Sequence, residues 1–170
     1  MNEDLYDYTD SNSAEQYNTL LLLDSVFETN KTGIRPVFHL LGGTALLFHG
    51  IVSISTIDID TANRLTDRVR DLVEPFISDN ASEVATLAKH YTSRLIPYKP
   101  EVFRNMDVYL LSLEDLVITK LGAGRFKDIE DLTKTDIMRR CDFDKLSKII
   151  MEEFDTSTTS KLLIRLSKLD

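Results

Sequence analysis

The 170-residue chain predicts a mixed α/β (α+β) fold: a small sheet of mixed strand direction flanked by helices, with a helical C-terminal tail. Three observations carry this prediction. Short apolar or alternating runs at residues 36–41, 55–62, 93–98 and 105–111 read as strands. Segments with apolar residues three and four apart separate them and read as helices. Beyond residue 112 the strand patterns stop and only helical ones continue.

Residues 1–13 are polar and acidic and read as a flexible N-terminus. Residues 14–30 carry a helical stripe that ends at the breaker Asn30-Lys31-Thr32-Gly33. Residues 36–41, PVFHLL, form a strand stopped by Gly42-Gly43, and a short helix over 44–49 is closed by Gly50. Residues 55–62, STIDIDTA, alternate as a second strand. Residues 65–78 are amphipathic, with Leu65, Val69, Leu72 and Val73 at helical spacing, and Pro75 ends or kinks that helix. Residues 82–91 read as a helix capped by Ser82, and two strands over 93–98 and 105–111 are joined through 99–104. Helices over 113–122, 127–138, 143–154 and 158–169 complete the chain. The division is therefore a core over 14–132 and a helical extension over 133–170 packed on it.

Composition narrows the functional classes. No run approaches the roughly 20 apolar residues of a membrane span, and the start lacks a basic-apolar leader. The single cysteine, Cys141, excludes an internal disulfide framework and a cysteine zinc site. A cytoplasmic protein with no membrane partner is expected. The net charge of −8 is uneven: residues 1–33 hold seven acids against one lysine, and the rest is close to neutral. Bulk charge therefore does not advertise nucleic-acid binding, and such a partner would need a local patch. The stretch 89–104, with Lys89, Arg94, Lys99 and Arg104 among tyrosines, could track a phosphate backbone or be a solvated surface.

Two features carry chemistry in the first half. In a strand, Asp58 and Asp60 share a face, roughly 7 Å apart. Paired carboxylates repel unless a cation lies between them, and magnesium takes one or two carboxylates together with substrate phosphates. The same pair can also be the wet face of a half-buried strand. Gly42-Gly43-Thr44 sits between a strand and a helix, where glycines let amides approach phosphate oxygens and a threonine hydroxyl can donate. It can equally be a tight turn with Thr44 as cap.

A third feature lies at residues 112–132. Ser112 and Asp115 form a capping box, and Leu113, Leu116, Val117 and Leu121 define an apolar helix face. Lys120 falls within that face, so it must snorkel, pair or line a site. Gly122 and Gly124 break the helix, and Arg125, Lys127, Asp128 and Asp131 open the next. Taken alone, those charges are a solvated helix start.

Gly42-Gly43-Thr44 followed after 13 residues by Asp58-Ile59-Asp60 resembles the signature of nucleotidyltransferases related to DNA polymerase β. Lys120, Ala123, Arg125, Lys127-Asp128 and Asp131 resemble in order the second motif of AbiEii-type toxins of abortive-infection and toxin–antitoxin systems. The likeness spans about residues 37–132; relatives carry an arginine where residues 51–56 have none. The resemblance implies the nucleotidyltransferase fold and a transferase that moves a nucleoside monophosphate from an NTP to an acceptor, with release of pyrophosphate. It implies one or two magnesium ions on Asp58 and Asp60, and phosphates held by Gly42, Gly43 and Thr44. Lys120 and Arg125 would neutralise developing charge, and Asp128 or Asp131 would supply a third carboxylate; Asp107, at an alternating position on a neighbouring strand, is the geometric alternative. The implied acceptor is RNA, such as a tRNA end, with a cognate antitoxin protein as partner in phage defence. A protein or antibiotic hydroxyl is the alternative acceptor, and a catalytically degenerate binding or antitoxin module the alternative role.

Overall fold

The computed structural model describes residues 11–30, 33–51 and 58–169. Helix α1 (Ser11–Thr29) leads into strand β1 (Val37–Leu41) and helix α2 (Gly42–Phe48). Strand β2 (Ile59–Thr61), helix α3 (Asp67–Val73) and strand β3 (Ile77–Ser78) follow. Next come one turn of helix α4 (Ala81–Val84), a 3-10 turn (Tyr91–Arg94), strand β4 (Ile96–Pro97) and strand β5 (Asp107–Leu110). The C-terminal half is helical: α5 (Leu113–Ala123), α6 (Phe126–Lys134), α7 (Ile137–Arg140), α8 (Phe143–Glu153) and α9 (Thr156–Leu166).

The strands form one sheet in the order β3-β2-β1-β5-β4. β1 runs parallel to β5 and antiparallel to β2, so the sheet is mixed as the sequence predicts. Its centre is apolar because β1 places Phe38 and Leu40 on one face, both fully buried, and ends on buried Leu41. Helix α1 adds Leu20, Leu23 and Phe27, which recur on one helical face and enter the same core.

Side-chain caps set several helix starts. Thr66 accepts from the Val69 N–H, Ser112 from Asp115, Asp142 from Lys145 and Asp155 from Thr158. Helix α3 ends at Val73, two residues before Pro75, and the remainder of the expected 65–78 helix is a turn over 74–76 and the edge strand β3. The expected helix over 82–91 is reduced to the single turn α4, because Ala85 is already extended. The expected helix over 127–138 divides at the extended Thr135.

Helix α5 departs most from its sequence pattern. It is buried on every side rather than along one apolar stripe, since α6, α8 and α9 pack around it. Its charged residues are buried with partners. Arg94 holds Asp115 through two bonds of 2.9 Å and Glu153 of α8 at 2.6 Å, while Lys145 holds Glu114 at 3.2 Å. Removing one member of such a pair would strand its partner's charge in a poorly solvated site. On α9, Arg165 donates to the carbonyls of Leu121 and Gly122 at 2.6 and 2.8 Å, so the last helix caps the end of α5.

Candidate active site

The two halves of the sequence pattern meet in one cleft of about 430 Å³. Gly42 and Asp60 line it from the sheet, Lys120 from α5, and Arg125 and Asp128 from the start of α6. Strand register explains the first pairing. Leu41 opposes Asp60 across the antiparallel β1–β2 ladder, so the chain leaving β1 passes directly beside that carboxylate. Gly42 adopts a positive φ of 67°, and a Cβ there would lie 3.8 Å from the Asp60 Oδ2. Glycine thus serves the backbone conformation and leaves the carboxylate open to the cleft.

The helix begins at Gly42, so both glycines belong to α2 instead of forming a turn before it. With seven residues, α2 is a weak dipole, and positive side chains must supply most of the charge that would oppose phosphates. Gly43 is half-buried. Thr44 is fully buried and its hydroxyl donates to the Asp58 carbonyl at 3.0 Å. That hydroxyl therefore does not face the cleft as a phosphate donor; it ties α2 to the residue that precedes β2.

Asp60 is half-buried, whereas Asp58 is exposed just outside the strand. Burial pushes the Asp60 carboxyl above the usual carboxylate range, the neighbouring Asp58 pushes the same way, and Arg125 and Lys127 pull it back. Among the described residues, no hydrogen bond or ion pair holds the Asp60 carboxylate. The strand expected over 55–62 is seen as Ile59–Thr61, and residues 52–57 lie outside the described ones. That region includes all but Ile51 of the interval lacking an arginine.

The positive side is held by its own acids. The Lys120 ammonium is buried, 2.6 Å from Asp131 Oδ2 and 3.5 Å from Asp128 Oδ1. Arg125 is three-quarters exposed and its Nε donates to Asp128 Oδ2 at 2.7 Å. The same carboxylate accepts from the Arg125 backbone N–H at 3.3 Å and so fixes the start of α6. The structure separates the three candidates for a third carboxylate. Asp128 lines the cleft, while Asp131 is fully buried behind Lys120. Asp107 opposes Val37 at the other end of β1, roughly 13 Å along the strands from Leu41, and is paired with Arg35 at 2.9 Å.

Other expectations change in the same light. Arg94 is an internal ion-pair residue and Lys99 sits over the Tyr17 ring, so residues 89–104 do not present a free cationic track. Burial pushes the Cys141 thiol up to about 12, which leaves it an inert core residue. The cleft also has a wall that sequence reasoning missed: Asn80, Ala81, Val84 and Ala85. An asparagine ahead of an Ala-x-x-Val-Ala face was its only signal, obscured by assigning the helix cap to Ser82.

The donor set accommodates a cation in part. Asp58 and Asp60 offer two carboxylates, and the Asp58 charge helps to raise the Asp60 carboxyl. Among the described residues, no cluster of three or more His, Cys, Asp or Glu side chains is arranged to hold a metal ion. Two carboxylates suit an ion that arrives with a phosphate ligand better than one held by protein alone. No described helix is long and apolar enough to cross a membrane.

No curated protein matches the chain in comparison, and neither does any solved structure. A family described as a nucleotidyltransferase of unknown function (DUF6036) matches residues 18–167. That span covers the sheet, the cleft and the C-terminal helices, and the mixed α/β architecture agrees with a nucleotidyltransferase fold. The chain belongs to this nucleotidyltransferase family.

Proposed function

We propose that the protein transfers a nucleoside monophosphate from a magnesium-bound NTP to an acceptor hydroxyl. The convergence of Gly42, Asp60, Lys120, Arg125 and Asp128 on one cleft carries this reading, because it joins an acidic wall to a cationic one. Asp58 and Asp60 would hold the magnesium, one ion or two, that screens the triphosphate and supplies Lewis acidity at the reacting phosphorus. Gly42 and Gly43 let the phosphates approach the backbone. Lys120 is held by Asp131, so its charge is presented in a fixed place. Arg125 is exposed enough to turn from Asp128 to the phosphates, and Asp128 would then act as the third carboxylate. Asp131 serves as a positioning residue for Lys120. The acceptor oxygen bonds to the α-phosphorus as the bridging P–O bond breaks, pyrophosphate leaves, and a cleft carboxylate takes the acceptor proton.

RNA, with a tRNA end as first candidate, is the proposed acceptor, in a toxin role opposed by an antitoxin protein. The support is the resemblance of the Lys120–Asp131 block. Incubation with each α-labelled NTP, magnesium and total RNA tests the reading. Label on RNA that is lost in Asp60→Asn supports it; label on protein or a small molecule changes the acceptor. A second reading, a nucleotide-binding module without catalysis, is favoured by the internal pairing of Lys120 and Arg125. Nucleotide binding with no transfer to any acceptor supports that alternative.

A further inference from the structure

One face of the sheet carries a row of rings beside the acidic wall. His39 on β1 is the register partner of Tyr109 on β5, and Tyr109 is the partner of Pro97 on β4. Register partners share a face, so the imidazole, phenol and proline rings form one row, on the side opposite buried Phe38, Leu40, Val108 and Leu110. Tyr91, from the 3-10 turn, adds a fourth ring, and its hydroxyl meets His39 Nδ1 at 3.2 Å. The Tyr91 and Tyr109 rings stand edge-on to the imidazole, with centroids 5.8 and 6.0 Å away, an arrangement that braces all three. His39, Tyr91 and Tyr109 are partly exposed and Pro97 is exposed.

The row lies outside the cleft but on the sheet face that carries Asp60. Leu41 is the register partner of Asp60, and His39 precedes Leu41 by two residues, roughly 7 Å along the strand. Gly42 follows Leu41 in the other direction, and Lys120 and Arg125 share the cleft with it. Along β1, Asp60 therefore stands between the ring row and the entrance to the phosphate wall. In phosphoryl transfer the attacking and leaving oxygens lie in line across the metal-bound phosphorus. Pyrophosphate leaving toward Lys120 requires an acceptor arriving from the side of the rings.

The chemistry of the row selects the kind of acceptor. Arg35 is paired with Asp107, Arg94 with Asp115 and Glu153, and Lys99 sits over the Tyr17 ring, so these neighbouring cations are already engaged. An acceptor on this face is held by flat ring surfaces more than by its phosphates. Unpaired RNA bases offer such surfaces, and rings on adjacent strands of a sheet stack two or three of them.

We propose that His39, Tyr109 and Pro97, braced by Tyr91, form the acceptor platform, on which the last bases of a single-stranded RNA stack so that its terminal hydroxyl reaches Asp60. This inference rests on the nucleotidyltransferase reading above and adds the acceptor side to it.

A short single-stranded RNA with a fluorescent purine analogue as its 3′-terminal base, titrated with the intact chain, tests the platform; magnesium-NTP binding is followed in parallel by calorimetry. The fluorescence should be quenched on binding, and an abasic 3′ end should weaken binding about tenfold. Tyr109→Leu keeps apolar bulk but loses the ring face and should also cost about tenfold, whereas Tyr109→Phe should stay within about twofold. Pro97→Ser, at an exposed edge position, should cost about threefold. All three variants should bind magnesium-NTP like the parent chain. The salt slope of RNA binding should be no steeper than about −1.4, that of two phosphate contacts on a single strand. An abasic end that binds as tightly as the intact one overturns the platform, and that comparison leaves the protein unaltered. RNA affinity unchanged in both Tyr109→Leu and Pro97→Ser overturns it as well. RNA that fails to bind while magnesium-NTP binds overturns this inference and leaves the transferase reading standing. Binding of neither overturns both.

Discussion

Replacing Asp131 with asparagine probes how the cleft holds a lysine inside a helical core. The Lys120 and Asp131 side chains are 5% and 1% exposed and meet at 2.6 Å. Asparagine preserves shape and one acceptor but removes the countercharge. Breaking a buried pair from one side costs about 3–5 kcal/mol. Asp128 remains at 3.5 Å from the ammonium, but it already serves Arg125, so the lower end of that range, about 3 kcal/mol, is expected. For a chain of this size each kcal/mol moves the midpoint by about 2–4 °C, giving a fall of about 6–12 °C in thermal melts. The double change Lys120→Met with Asp131→Leu should recover most of the loss, because no charge then remains to bury. Circular dichroism melts and urea titrations read both variants, and NTP titration should show weaker binding in each. An Asp131→Asn variant within about 1 kcal/mol of the parent would refute the reasoning. So would a double variant as unstable as the single one.

Other perturbations address the remaining walls. Gly42→Ala should cost about 1–2 kcal/mol in urea titration, from its positive φ rather than a clash, since the new Cβ meets Asp60 only at van der Waals distance. Asp60→Asn should raise the melting temperature at pH 7 while abolishing transfer. The Asp60 carboxyl is raised in the folded chain, so its ionisation opposes folding above that raised value and has no effect below the ordinary carboxylate range. The stabilising effect of asparagine should therefore shrink as pH falls and vanish by about pH 3. Arg165→Ala removes two charge-assisted bonds to the end of α5 and should cost about 2 kcal/mol in denaturant titration. Arg165→Lys should recover part of that loss.

The elements with strong local signals were legible from sequence. The Phe38–Leu40 alternation and the Ser112–Asp115 cap each specify their element within a few residues, and the structure contains both. The two motifs were legible because their residues are close in sequence, and they proved to share a cleft. Roles set by long-range packing were not. Arg94 looked like a surface cation until Asp115 and Glu153, 21 and 59 residues away, enclosed it. Thr44 looked like a phosphate donor, but its hydroxyl donates to the Asp58 carbonyl, 14 residues away. Lys120 sat on an apolar wheel face, and the sequence suggested Asp131 as a metal or base residue when it is the lysine's countercharge. Asn80 and Val84 were missed because α4 is too short to show a periodicity.

The Arg165 contact at the end of α5 has a consequence for biosynthesis. Chains emerge from the ribosome N-terminus first, and early segments begin to fold before later ones exist. The sheet, Asp60 and Lys120 are all made before residue 165, yet the carbonyls that lead into the Gly124–Arg125 loop lack their donor until that residue arrives. A nascent chain therefore leaves the carbonyls of Leu121 and Gly122 without this donor until α9 is made.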